Sequence, residues 1–353
     1  MLINSMKIIK TIRTHSEPIN TLLICRNGNL VSGSMGRIVF HSKENLETIL
    51  RITEFKSFYI AHINELHKDN NFLICHIGFT IIETTNDNKK YKVLFSFYER
   101  FMMNKGIEFK HIYETDKKEI KTKYSILIST VYGINIFEEE SNNKITNENN
   151  QKDGKKKEEN SKENSTNLSY KLVKKINQNE ISYNIFQVNN DCFVSSSNSV
   201  LASGNNCLRF WSYKEMINIK SINHLFCSSG IYSIIKFKEK LLVGLEKIPK
   251  YLIRNKKIEE NLNINGIAVI DLVYKEVVQL IETHNCIRSL LLAKNNTIIA
   301  GSTFKLIQYQ FNDGIIEKIS EKELYNYINN VIVEIEENNY ITGSNNKLMI
   351  VIK

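Results

Sequence analysis

The chain is 353 residues long, 42% hydrophobic and 24% charged, which is the profile of an ordinary globular protein and excludes a disordered or fibrous one. No run approaches the roughly 18 apolar residues of a membrane-spanning helix, and the opening MLINSMKIIKTIRTH breaks its apolar residues with Asn, Ser and Lys, unlike a secretory leader. The 47 Lys and Arg against 38 Asp and Glu leave a net charge of +9, which makes anionic partners worth testing. A cytoplasmic location is expected, with a nuclear one not excluded. The six cysteines (Cys25, Cys75, Cys192, Cys207, Cys227, Cys286) are scattered singly among apolar neighbours and form no Cys-x-x-Cys. They are expected to be buried free thiols and not a disulfide framework or a zinc site.

In chain order, the first predicted element is the strand KIIKTIRTH, which ends at His15. Hairpins follow at LVSGSMGRIVF (30–40), FLICHIGFTIIE (72–83) and ILISTVYGINIF (126–137). Residues 138–168 then change character. Ile145 and Leu168 are their only large aliphatics and no aromatic is present, so they cannot bury enough apolar area to offset chain entropy. They are predicted to be a disordered insertion within a continuing fold. Strand patterning resumes with the hairpin LASGNNCLRFW (201–211), the strand MINIKSINH ending at His224, and the hairpin LLVGLEKIPKYLI (241–253). The strand EVVQLIETH ends at His284, and IIAGSTFKLIQY (298–309) and YITGSNNKLMIV (340–351) are the last hairpins. Between these two, EKELYNYINNVI (321–332) is the best candidate for a short helix.

These elements repeat. Taking Gly33, His76, Thr130, Gly204, Gly244, Gly301 and Gly343 as equivalent, the steps approach the 40–45 residues of a four-stranded blade once polar insertions are set aside. The expected fold is therefore all-β: a seven-bladed β-propeller of four-stranded antiparallel blades, spanning 1–353 as one domain. KIIKTIR has no blade before it, and the last hairpin has no strand after it. The N-terminal strand is expected to pair beside KLMIVIK and complete the last blade.

The pattern resembles the WD-repeat β-propeller family over essentially the whole chain. In that family a His at the turn into each blade, a Ser or Thr in the second strand and a Trp in the third are joined by hydrogen bonds. The resemblance places His15, His224 and His284 in the first role, Ser32, Ser203 and Thr342 in the second, and Trp211 in the third, where other repeats carry His41, Tyr309 and Val351. It implies that these are structural residues, so that deleting His15 or His284 strands a polar partner. The Trp-Asp dipeptide is absent, since Ser212 follows Trp211.

No catalytic constellation emerges. SGSMG at 32–36 lacks the Gly-x-Ser-x-Gly spacing of a nucleophile elbow, and there is no dinucleotide, Walker, zinc-protease or calcium-loop motif. Glu138 and Glu140 fall at the edge of the polar insertion, where catalytic geometry is not expected. No enzyme activity, cofactor or metal is therefore expected. The one local excess is basic: residues 236–257, with Lys247, Lys250, Arg254, Lys256 and Lys257 as a candidate patch for an anionic partner. The expected function is a non-catalytic scaffold or adaptor, a subunit of a larger complex that binds proteins or peptides on the propeller rim. The alternative is a basic propeller that binds phosphoinositide membranes or nucleic acid through that patch.

Overall fold

The computed structural model describes residues 6–55, 58–99, 103–140, 169–177, 180–199, 207–223, 231–245, 265–324, 329–344 and 348–352. All regular structure among them is β. Strand β1 (Ile8–Arg13) precedes the first blade, which is β2 (Ile19–Ile24), β3 (Leu30–Ser34), β4 (Arg37–His41) and β5 (Thr48–Ile52). Blade 2 is β6 (His62–Glu65), β7 (Asn71–His76), β8 (Gly78–Thr84) and β9 (Tyr91–Tyr98). Blade 3 is β10 (Met103–Glu114), β11 (Ile120–Thr130), β12 (Gly133–Glu139) and β13 (Tyr170–Asn177). Blade 4 is β14 (Glu180–Gln187), β15 (Cys192–Ser199), β16 (Cys207–Ser212) and β17 (Ile217–Asn223). Blade 5 is β18 (Ile231–Phe237), β19 (Lys240–Leu245), β20 (Asn265–Asp271) and β21 (Glu276–Thr283). Blade 6 is β22 (Ile287–Leu292), β23 (Ile298–Ser302), β24 (Lys305–Asn312) and β25 (Ile315–Glu323). Blade 7 takes β26 (Asn329–Glu336), β27 (Asn339–Ser344) and β28 (Leu348–Ile352) from the end of the chain and β1 from its start, in the order β1-β28-β27-β26.

The sheets are thus seven, each antiparallel and four-stranded. Their first strands β2, β6, β10, β14, β18, β22 and β26 touch in sequence, and β26 returns to β2, so the blades stand in a closed ring. Seven separate apolar clusters fill the seven gaps between neighbouring blades. Between blades 1 and 2, for example, Val31, Ile38, Phe40 and Ile52 meet Ile60, Ile63, Phe72 and Ile74. Between blades 7 and 1, Ile341 meets Ile19, Leu22 and Leu30. Middle strands are therefore buried on both faces, as in β3 and β7, whereas outer strands such as β1 and β17 are largely exposed.

This packing explains the recurrent glycine of the hairpins. A Cβ on Gly33 would lie 2.6 Å from Thr21 Cγ2 and 2.9 Å from Ile60 Cγ2, and one on Gly343 would lie 2.6 Å from Ile19 Cγ2. Each position sits where one blade's second strand meets the next blade's inner strand, and no side chain fits there.

Several sequence expectations need correction. The segment 321–332 is not a helix where it is described: β25 runs through Glu323 and β26 starts at Asn329. Its apolar residues alternate with polar ones across two strands of different blades, a period that a helix template partly mimics. In blade 4 the second strand is CFVSSSNS (192–199), not LASG (201–204), because Phe193 pairs with Trp211 and Val194 with Phe210. In blade 5 the third strand is Asn265–Asp271, with Leu242 opposite Val269, so YLI at 251–253 is not the partner of β19. In blade 7 Ile352, not Val351, stands opposite Tyr340 and so takes the place that His41 holds opposite Leu30. The polar insertion also begins later than 138. Glu138 and Glu139 belong to β12 opposite Lys171 and Tyr170, and Glu138 is held by Lys123 Nζ at 2.7 Å. Residues 141–168 lie outside the described residues.

Ring closure rests on β1, whose residues Lys10 to Arg13 pair with Val351 to Leu348. Deleting residues 1–13 should expose the edge of β28 and lower the thermal midpoint of the whole protein. Unchanged melting, followed by circular dichroism, would contradict closure of the ring by this strand.

Candidate functional site

Antiparallel order fixes which connections share a face. The turns joining second to third strands, and the links from each fourth strand into the next blade, emerge on one side of the ring. The polar chain of blade 1 lies below that face. His15 Nε2 is 2.7 Å from Ser32 Oγ, His41 Nε2 is 2.9 Å from the same oxygen, and Ser32 Oγ donates to the Val39 carbonyl at 3.4 Å. With its one proton on Val39, the hydroxyl accepts Nε2–H from both imidazoles, which leaves each Nδ1 as a bare acceptor. A neutral ring tolerates this arrangement. Burial pulls His15 down to about 3, aided by the charges of Arg37 and Arg51, and pulls His41 down to about 4.

Trp211 makes the corresponding bond in blade 4. Its Nε1 donates to Ser195 Oγ at 2.9 Å, and the register places Ser195 where Ser32 stands in blade 1. Ser203 and His224, expected in these roles, lie outside the described residues. His284 reaches the expected turn but is exposed, because the hydroxyl position facing it in blade 6 is Ala300. Thr342 is fully buried at its expected place. Blade 2 substitutes a different bond: His76 Nε2 to Thr80 Oγ1 at 2.9 Å, under the stacked ring of Phe58, with burial lowering the imidazole to about 4.

The ring encloses a polar cavity of about 210 Å³, lined by residues from the inner strand of every blade and from the link into β6. A bulge near the start of most inner strands turns one extra residue inward, as at Ile19/Thr21, Met103/Lys105 and Ile287/Ser289. Side chains there tie blade to blade. Asn330 Nδ2 donates to the Ile19 carbonyl at 3.2 Å, the Ile63 amide donates to Thr21 Oγ1 at 3.3 Å, and Asn104 Nδ2 donates to the Ser182 carbonyl at 2.6 Å. Lys105 Nζ donates to Asn184 Oδ1 at 2.8 Å, and Asn184 Nδ2 donates to the Tyr232 carbonyl at 3.1 Å, a relay across three blades.

The cavity is also cationic. Among the described residues, Lys105 and Arg288 line it and no Asp or Glu does. Burial pulls Lys105 down to about 8, so it is mostly charged at neutral pH, and burial together with that charge holds His62 near 3. The Arg288 guanidinium sits 5.3 Å from the Tyr232 ring centroid, and its Nε is buried without a hydrogen-bond partner. Sequence reasoning missed Lys105 and Arg288, since each is a single basic residue in an ordinary strand.

Around the mouth stand five exposed large side chains: Met35, Tyr132 and Phe304 in turns between second and third strands, Tyr59 in the link into β6, and Tyr98 at the end of β9. Met35 and Tyr59 bridge blades 1 and 2 through their backbones. Lys247, Lys250, Arg254, Lys256 and Lys257 lie outside the described residues, on the connection from β19 to β20, whose two ends reach this same face. On the opposite face, β10 and β11 extend well beyond the usual strand length and form a cleft of about 870 Å³ with His111, Tyr113 and Tyr213.

A second repeated device had also gone unread. Side chains near the ends of inner strands accept from the preceding blade's turn: Glu65 Oε2 from the Arg26 amide at 2.8 Å, Glu108 Oε2 from His67 N at 2.5 Å, Gln187 Oε1 from Lys110 N at 3.1 Å, and Glu334 Oε2 from Lys294 N at 2.6 Å. Its sequence signal is an acid or amide directly after an Ile, Phe, Val or Asn, at or past the middle of the inner strands of blades 2, 3, 4 and 7.

Among the described residues there is no group of three or more His, Cys, Asp or Glu placed to hold a metal, and no helix long and apolar enough to cross a membrane. The five described cysteines are free and buried. No protein-family model matches the chain, and no curated protein does.

Two predictions follow from the polar chains. An unfolded histidine takes up its proton near pH 6.5, whereas His15, His41, His62 and His76 stay neutral in the fold until about pH 3–4. Between those limits the unfolded state binds more protons, so stability falls with pH, by roughly 2 kcal/mol per histidine at pH 5. Urea midpoints between pH 7 and 4.5 should drop steeply, and a flat profile would refute the neutral assignment. Ser195→Ala should cost about 1–3 kcal/mol by stranding the Trp211 Nε1–H. His284→Ala should cost less than about 0.5 kcal/mol, as equilibrium unfolding of the two variants would show.

Proposed function

We propose that the chain is a non-catalytic interaction platform, a degenerate relative of the WD-repeat propellers, that holds a protein partner across the face where the central cavity opens. The observation that carries this reading is the placement of Met35, Tyr59, Tyr98, Tyr132 and Phe304. Of the other exposed large apolar residues, Ile217, Ile219, Val278 and Ile319 lie along outer strands as scattered surface residues do, while Ile120, Val273, Tyr274 and Ile315 lie at turns of the opposite face. The five on the mouth face sit in turns and links from several blades. Tyr, Phe and Met at one end of a rigid scaffold supply contact area at little entropic cost, which is how protein interfaces are built.

The WD-repeat relationship is supported by the Trp211–Ser195 bond and by the His15–Ser32–His41 chain, in which a second imidazole takes the place of the indole. The platform reading is supported by rigidity. Inner strands are cross-linked by side chains, so the mouth face is presented without an ordering cost on binding. The buried free thiols fit a reducing compartment, so the proposed site of action is the cytoplasm or nucleus.

The experiment is quantitative affinity capture from a native lysate with three tagged proteins. Tyr132→Asp with Phe304→Asp should remove the specifically enriched partners by about tenfold or more. Tyr113→Asp with Ile120→Asp, on the opposite face, should leave them in place. The reverse pattern would move the interface to the cleft beside β10 and overturn this reading. Enrichment only of anionic lipid or nucleic acid, lost at high salt, would favour the basic propeller of the alternative reading.

A further inference from the structure

We infer that the central cavity is an oxyanion site that takes a phosphate group, with Lys105 and Arg288 supplying the charge and the inward asparagines supplying hydrogen bonds. The inference concerns the cavity itself. It rests on the platform reading only where the phosphate is carried by a docked partner.

The argument begins with electrostatics. Two cations face a cavity lined by no carboxylate, and Lys105 has only the neutral Asn184 as its recorded partner. Two other partly buried lysines are matched, Lys240 with Asp271 at 2.7 Å and Lys305 with Glu321 at 3.0 Å, while Lys236 bonds the Val188 carbonyl at 3.1 Å. Withdrawing a cation from water is costly unless an opposite charge compensates it. Both cations are therefore poised for an anion that the described residues do not provide.

Hydrogen bonding adds a second, independent observation. Arg288 Nε and His62 Nδ1 are both buried and both lack a partner, and both residues line this cavity. A buried guanidinium N–H is a donor only, so its missing partner is an acceptor. Further donors, Asn20 and Tyr183, belong to the same wall. Their arrangement is fixed by strand bulges, so the site needs no reorganisation to receive a ligand.

Charge and size then select the anion. A phosphate monoester carries about −1.5 to −2 at neutral pH, with three acceptor oxygens, which matches two cations and several donors. Arginine binds such a group through paired N–H bonds, and lysine binds it as a point charge. A volume of about 210 Å³ equals roughly seven waters at about 30 Å³ each, enough for a phosphate or pyrophosphate with residual water.

The test measures binding of inorganic phosphate, pyrophosphate and acetate to the full-length protein at constant low ionic strength, by calorimetry and by the shift in thermal midpoint. Phosphate and pyrophosphate should bind and stabilise, and acetate at equal concentration should not. Lys105→Met and Arg288→Gln should each weaken phosphate binding by about tenfold to a hundredfold, with the fold of each variant checked by circular dichroism and Trp211 fluorescence. Substituting Lys247, Lys250, Arg254, Lys256 and Lys257 together by Ala should leave binding unchanged. No binding, equal binding of acetate, or loss only in the five-alanine protein would each overturn the inference. A phosphoserine peptide and its serine counterpart distinguish the sources. Preferential binding of the phosphopeptide that is abolished by Tyr132→Asp with Phe304→Asp places the phosphate on a docked partner. Phosphate binding that survives in that variant, without phosphopeptide preference, assigns the site to a free phosphate and leaves the platform reading to its own experiment.

Discussion

Everything in this molecule depends on how a sheet with two apolar faces escapes water. The middle strands of each blade carry large aliphatics on both sides, so each blade needs a neighbour on both sides. A linear stack would leave one apolar face exposed at each end. A ring leaves none, and seven inter-blade clusters are the result. The pairing of β1 with β28 fastens that ring by spending a strand from each end of the chain on one sheet. It also covers an edge that would otherwise offer unpaired backbone groups to another chain.

Much of this was legible in the sequence because it follows from backbone and packing rules. The hairpins of blades 1, 6 and 7 fell where their shared Gly-Ser turns put them, those of blades 2 and 3 fell where the repeat spacing and apolar runs put them, and the strands before His15, His224 and His284 are fourth strands. The glycine of the pattern marks a close approach between blades, so it is a packing signal and not only a turn signal. The pattern failed where it was imitated. Leu201–Gly204 matches it well, yet the strand is the serine-rich 192–199, in which Ser195 and Ser196 are fully buried. Serine is a poor strand former in isolation, and here hydrogen bonding and burial between apolar neighbours outweigh propensity. In blade 5 the long connection between β19 and β20 broke the hairpin spacing, so a nearer apolar run was taken for the partner.

The polar residues were harder to read because their meaning depends on what stands opposite. His15 and His284 occupy equivalent turns, but His15 meets Ser32, whereas the register of blade 6 puts Ala300 at the place of that serine. One is consequently buried and neutral while the other is exposed, a difference invisible in the histidines themselves. The same limit hid the inner wall. Lys105 and Arg288 are distant in sequence and unremarkable in context, and only the ring brings their charges to a common space.

That convergence bears on why such a costly arrangement exists. Each blade contributes little to the cavity, so no single strand had to be polar enough to compromise its own packing. The expense is distributed: one bulge, one asparagine or one cation per inner strand. Several of these groups recover their desolvation by bonding the backbone of the next blade, as Asn104, Asn184 and Asn330 do. Arg288 and Lys105 recover less, since a carbonyl or amide oxygen compensates dipoles better than full charges. A stability-driven sequence would replace them by apolar residues of similar volume, which is commonly neutral or favourable. Their presence is an argument from cost, because a full charge is more expensive to bury than the neutral hydroxyls, amides and imidazoles that also lack partners here. The inner wall holds charge that folding alone does not require and that no carboxylate among the described lining residues compensates.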